Sequence, residues 1–182
     1  MSANKIKALC RVAILAALYF LLNMLSIRAG NLRVTFASLP VIVAALLFGP
    51  GEAFTAAALG ELLNQMLSYG FTLTTALWLL PPAIRGLLVG LAAARSSAAG
   101  RPLEEHPGAC YTVCLLAAAA TTACNTAAIA ADSLLYHYFT WALIFGDLAF
   151  RLITGLVTAA AITTVSIPLV RLLRRRLAVR RD

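Results

Sequence analysis

The sequence predicts an all-α integral membrane protein: a bundle of six transmembrane helices with both termini on the cytoplasmic side. Three observations carry that prediction. The chain is 62% hydrophobic and only 12% charged, with a mean hydropathy of +0.88, whereas soluble domains run nearer half apolar and a quarter charged. Its apolar residues gather in long runs, and 182 residues accommodate about six spans of roughly 20 residues with short connections. Its basic residues cluster at one set of run ends, the distribution that the positive-inside rule produces. One membrane domain covering 1–182 follows, with no linker or soluble appendage. The net charge of +8 is explained by the same clustering, so it gives no reason to expect nucleic acid.

The first span is predicted over about 6–27. Lys5, Lys7 and Arg11 mark its start as cytoplasmic. Its length exceeds a signal-peptide core and lacks a small-residue cleavage site, so it is expected to remain as a helix. Ala13 and Ala17 have the small-xxx-small spacing that lets a second helix approach closely, although alanine is abundant throughout.

An outer segment at about 28–37 follows. It carries Arg28 and Arg33, while Lys5, Lys7, Arg11, Arg95, Arg101, Arg171, Arg174, Arg175, Arg176, Arg180 and Arg181 fall on the predicted cytoplasmic side. Two cations on the wrong side serve either an anionic solute or lipid phosphates. The second helix is predicted over 38–48. The turn Gly49-Pro50-Gly51 then makes a tight cytoplasmic connection.

The third helix is predicted over 52–68, with Glu61 near its middle and Asn64 and Gln65 one turn on. A carboxyl group at membrane depth needs a cavity or a partner. The second outer segment, at about 69–75, holds Tyr69 and Phe71. The fourth helix, over 75–94, carries Trp78 and is interrupted by Pro81-Pro82, which remove two backbone donors. Arg85 follows at a depth similar to that of Glu61, so a buried Glu61–Arg85 pair is one expectation. Gly86-x-x-x-Gly90 supplies another close-packing face.

The cytoplasmic loop at about 95–107 contains Glu104-Glu105-His106, predicted to be solvated charge. It lacks the His-Glu-x-x-His spacing of a zinc site on a helix. The fifth helix, over 109–131, carries Cys110 and Cys114 as small packing residues and Asn125 in its outer part. The outer segment at about 132–142 contains Tyr136, His137, Tyr138, Phe139 and Trp141. Such aromatics serve either as an interfacial belt or as a stacking surface for a flat ring. The sixth helix is predicted over 143–173, with Asp147 and Arg151 able to pair at i, i+4. The basic tail at 171–182 is expected to contact anionic lipid.

These placements predict three outer segments converging above a half-buried polar ring. Its expected solute-binding residues are Arg28, Arg33, Gln65, Tyr69, Phe71, Trp78, Arg85, Asn125, Trp141 and Arg151. No phosphate-binding loop is present, so a solute pocket here implies either facilitated movement or a partner that supplies the energy.

Several stretches resemble the substrate-binding S components of energy-coupling factor (ECF) vitamin transporters. They are Arg33-Val-Thr-Phe-Ala-Ser-Leu-Pro40, Leu46-Leu-Phe-Gly-Pro50, Leu59-Gly-Glu61-Leu-Leu, Gly70-Phe-Thr-Leu-Thr74 and Arg85-Gly-Leu-Leu-Val-Gly90. The resemblance implies a six-helix bundle in the bacterial cell membrane that captures a vitamin outside. It also implies a transmembrane coupling subunit and two cytoplasmic ATPases as partners, with Ala13 and Ala17 on the docking face. No metal or cofactor is implied, and no enzymatic activity. Gly70-Phe-Thr-Leu-Thr74 and Asn125-Thr126 look most like the folate type. Riboflavin, thiamine, pantothenate or a queuosine precursor are the alternatives. A small intramembrane enzyme using Glu61, Asp147 or His137 is the rival class, and it lacks a paired base or nucleophile. A non-transporting assembly subunit is a second rival.

Overall fold

The computed structural model describes residues 3–29 and 32–179, with side chains over 5–26 and 35–176. Helix α1 spans Ala3–Met24. Strands β1 (Ile27–Ala29) and β2 (Leu32–Val34) form an antiparallel hairpin that sets Arg28 opposite Arg33. Helices α2 (Ser38–Phe48), α3 (Pro50–Ser68) and α4 (Thr75–Ala98) follow. A 3-10 turn at Leu103–Glu105 leads to α5 (Pro107–Leu135). The chain closes with the short α6 (Trp141–Phe145) and the long α7 (Leu148–Val179).

Four stretches are long and apolar enough to cross a membrane: Lys5–Met24, Thr75–Ala98, Pro107–Leu135 and Trp141–Arg176. Helix α2 is apolar but has only 11 residues, about 16 Å of helix. Helix α3 is long enough but carries Glu52, Glu61, Asn64 and Gln65. Helix α2 lies in the interior of the bundle, whereas α3 turns its polar side inward and exposes Phe54, Leu59, Leu63, Met66 and Leu67. Pro40 to Leu46 are all buried, as expected for a helix apolar on every side. Ile42, Val89, Ile162 and Val170 pack in the core around α2.

Close helix contact comes from small residues. Gly49 takes φ +91, and Pro50 starts α3 where its missing N–H costs no helical bond. Helix α4 then lies against this corner. A Cβ on Gly90 would sit 2.5 Å from the Pro50 Cα, and one on Gly86 would sit 2.9 Å from the Ala53 carbonyl oxygen.

Polar clamps close the end of the bundle where α1 starts and α7 ends. Arg11 donates through Nε to Glu52 Oε2 at 2.9 Å and lies 4.6 Å above the Phe48 ring. Arg174 Nε lies 2.9 Å from Glu104 Oε1 without aiming its N–H at that oxygen. Arg174 Nη2 donates to the Leu46 carbonyl at 3.0 Å, and Arg171 Nε donates to the Glu104 carbonyl at 2.7 Å.

This clamp corrects one expectation. Glu104 is not solvated loop charge: it is 3% exposed. The 3-10 turn folds its side chain inward, where α7 supplies arginines. Glu105 and His106 are exposed.

The last predicted helix also differs. It breaks at Gly146–Asp147, between α6 and α7. Asp147 therefore sits in the break, exposed, and makes no ion pair with Arg151. Arg151 Nη2 instead donates to the Ile144 carbonyl at 2.6 Å, tying α7 to α6. The predicted interruption at Pro81-Pro82 is absent as well, because α4 continues through both prolines. Their missing N–H groups leave the Leu77 and Trp78 carbonyls without helical donors.

Candidate functional site

A cavity of about 700 Å³ opens among α1, α3, α4, α5 and α7, toward the end of the bundle opposite the clamps. That volume falls within the range of small-molecule sites.

Helix α3 contributes Glu61, Asn64 and Gln65, which share one face at i, i+3 and i+4. Glu61 is 8% exposed and accepts three hydrogen bonds. Tyr19 Oη donates to Oε2 at 2.7 Å, while Asn64 Nδ2 and Gln65 Nε2 donate to Oε1 at 2.9 and 2.8 Å. Helix α4 contributes Trp78, Pro81, Pro82 and Arg85, so the freed carbonyls belong to the stretch bordering the cavity. Arg85 donates through Nε to Thr121 Oγ1 at 3.2 Å and through Nη1 to Ser38 Oγ. Among the described residues that leaves the second Nη1 N–H and both Nη2 N–H groups as donors of the guanidinium.

Helix α5 adds Thr121, Thr122, Asn125 and Asp132. The two threonine hydroxyls donate to their own helix, to the Ala117 and Ala118 carbonyls, and keep lone pairs for an incoming donor. Helix α7 adds Phe150, Arg151, Thr154, Gly155 and Thr158. The Arg151 Nε is buried with no hydrogen-bond partner, a state that costs free energy until something in the cavity accepts from it.

The end of α5 shapes the rim. His137 takes φ 60, and Tyr138 N–H reaches back to the Ser133 carbonyl at 3.0 Å, a Schellman-type closure. This turn brings Tyr136 to the cavity and lets the Tyr138 hydroxyl donate to Asp132. That hydrogen bond holds the Tyr138 proton, pushing its pKa up to about 12. Two acidic side chains, Glu61 and Asp132, and two basic ones, Arg85 and Arg151, line the cavity. Among the described residues their formal charges cancel.

Of the residues expected at the site, Gln65, Tyr69, Trp78, Arg85, Asn125 and Arg151 line the cavity. Phe71 and Trp141 do not. They are 77% and 70% exposed, and Trp141 stacks on Phe145 with ring centroids 5.6 Å apart. Phe71 is carried outward by the loop between α3 and α4, and Trp141 opens α6 on its exposed side. The side chains of Arg28 and Arg33 lie outside the described residues. Glu61 and Arg85 do not form the expected ion pair: neutral groups of α1 and of α3 itself satisfy the carboxyl group, and neutral groups of α2 and α5 hold the guanidinium. Ala13 and Ala17 are exposed on α1.

Sequence reasoning missed Tyr19, Asn23, Thr72, Thr74 and Asp132, along with the hydroxyl stripes of α5 and α7. A signal for the stripes existed: Thr121 and Asn125, and likewise Thr154 and Thr158, are spaced i, i+4 in otherwise apolar runs.

The family model of the ECF-type riboflavin transporter S component matches residues 3–175. The structure of ThiT from Listeria monocytogenes superposes with a TM-score of 0.71 at 16% identity, covering 94% of this chain and 97% of that one. The S component of a bacterial ECF transporter superposes with a TM-score of 0.55 at 19% identity, covering 96% of each chain. No curated protein matches the sequence. Residues 3–175, nearly the whole bundle with its cavity and its clamped end, thus place the chain in the family of ECF-type riboflavin transporter S components, membrane proteins of vitamin uptake.

Proposed function

We propose that this protein captures riboflavin outside the cell and delivers it inward in association with a transmembrane coupling subunit and two cytoplasmic ATPases. The observation that carries the ligand assignment is the cavity lining: hydroxyl and amide groups from five helices, with acidic and basic side chains in balance. Riboflavin is an uncharged molecule with a flat ring system and a hydroxylated chain. Such a ligand suits Trp78, Tyr19 and Tyr136 for ring contact and the threonines and Asn125 for its hydroxyls. The family match supports the same ligand.

Folate is the second reading. Thr72 and Thr74 of the Gly70-Phe71-Thr72-Leu73-Thr74 stretch do line the cavity. Its anionic tail needs a surplus of cations, however, which falls to Arg28 and Arg33 on the hairpin.

Six membrane segments with both termini cytoplasmic orient the cavity outward. Lys5, Lys7, Arg11, Arg95, Arg101, Arg171, Arg174, Arg175 and Arg176 then fall at the cytoplasmic side, and the exposed Ala13 and Ala17 face is free for the coupling subunit. The cell membrane of a bacterium is the location this reading requires.

A thermal-shift panel with riboflavin, folate, thiamine and pantothenate tests the assignment, because a ligand that binds the folded state raises its apparent stability. Riboflavin is expected to give the largest rise. A larger rise with folate overturns the riboflavin reading in favour of folate.

A further inference from the structure

Helix α1 is held to α3 by a lower and an upper polar contact. The lower is Arg11 on Glu52, a charge-assisted bidentate contact outside the cavity. The upper is Tyr19 on Glu61, and both of these side chains line the cavity. The Tyr19 ring is seated in a notch left by a glycine: a Cβ on Gly60 would lie 2.6 Å from Tyr19 Cδ1 and 2.8 Å from its Cβ. Adjacent residues of α3 therefore fix both the ring and the hydroxyl. The two oxygens of Glu61 divide their work. Oε1 accepts from α3 itself, and Oε2 accepts from α1.

We propose that Tyr19 is a positioning residue that couples the contents of the cavity to the seating of α1, and so to the exposed Ala13 and Ala17 face on the other side of that helix. An N–H or O–H of a cavity occupant has the same chemistry as the Tyr19 hydroxyl and competes with it for Oε2. The Arg11–Glu52 contact lies beyond the occupant's reach, so it serves as the fixed point about which the upper part of α1 reseats. The helix then presents a different face geometry when the cavity is filled. This rests on the reading of the cavity as a riboflavin site and of the alanine face as the docking surface.

The test uses the full-length protein in nanodiscs and the purified coupling subunit with its ATPases. Affinity between the two is measured without riboflavin and with riboflavin at a concentration that saturates each variant. The wild type is expected to differ by about tenfold between the empty and filled states, the scale of one hydrogen bond to a charged group. Tyr19→Phe keeps the ring on Gly60 and loses the hydroxyl, and its difference is expected to shrink to about twofold or less. Glu61→Gln keeps an oxygen that accepts from Tyr19, and is expected to retain more of the difference than Tyr19→Phe. An undiminished difference in Tyr19→Phe, or none in the wild type despite saturable riboflavin binding, overturns this inference alone. Failure of the wild type to bind riboflavin overturns the ligand assignment, and the inference falls with it.

Discussion

Glu61 and Arg85 line one cavity without pairing. The carboxyl group is satisfied by Tyr19, Asn64 and Gln65, and the guanidinium by Ser38 and Thr121. Two oppositely ionisable groups in the interior of a membrane bundle normally offset their desolvation by meeting. Here each is held by neutral groups instead, Glu61 from α1 and its own helix and Arg85 from α2 and α5, so an acceptor and a donor both remain available to an occupant.

Arg85→Gln should therefore weaken riboflavin binding about tenfold to a hundredfold, the consequence of losing roughly 1.5–3 kcal/mol from a hydrogen bond to a charged group. Quenching of flavin fluorescence measures the dissociation constant. An unchanged constant assigns Arg85 to the scaffold alone.

The exposed alanine face makes a different kind of prediction. Ala13→Trp and Ala17→Trp add bulk at exposed side chains that are not part of the cavity lining. Uptake of riboflavin into cells is expected to fall to background, while the isolated variants bind it as the wild type does. Normal uptake by either variant removes the docking role from this face.

Glu104→Ala leaves Arg174 without its carboxylate and vacates a buried site between the 3-10 turn and α7. Because the Arg174 side chain is 43% exposed, solvent screens part of the loss, and a cost of about 1–3 kcal/mol is expected. The thermal midpoint should drop with no change in riboflavin affinity. A variant as stable as the wild type shows that the clamp contributes nothing to holding this end closed.

Gly90→Leu tests the corner between α2 and α3. The new side chain starts 2.5 Å from the Pro50 Cα, and backbone cannot move aside as a side-chain tip does. Overpacking of this kind costs about 1–3 kcal/mol or more. Gly108→Leu, at the exposed start of α5 where a Cβ meets nothing within 4 Å, is the control that should unfold at the wild-type temperature.

Much of the fold was legible because membrane burial writes itself in long apolar runs. The bounds of α2, the tight turn at Gly49-Pro50 and the close-packing Gly86 and Gly90 face all follow from local residue types. What local pattern hides is pairing across distance. Glu104 looked like loop charge because Arg174, its partner, lies 70 residues away in sequence on another helix. Asp147 and Arg151 had helical spacing, but no spacing rule reports that the chain breaks at Gly146–Asp147. Phe71 and Trp141 were drawn to the site by their chemistry, whereas loop direction turned them outward. Tyr19 went unnoticed because a tyrosine inside an apolar run resembles any other packing residue until the Gly60 notch and Glu61 are seen beside it.

Native mass spectrometry of the protein, gently extracted from cells supplied with riboflavin and folate together, tests the central claim most directly. The account predicts one riboflavin per chain, retained through purification and lost in Arg85→Gln. A chain that carries folate, or that emerges empty and takes up no riboflavin when it is added back, contradicts it.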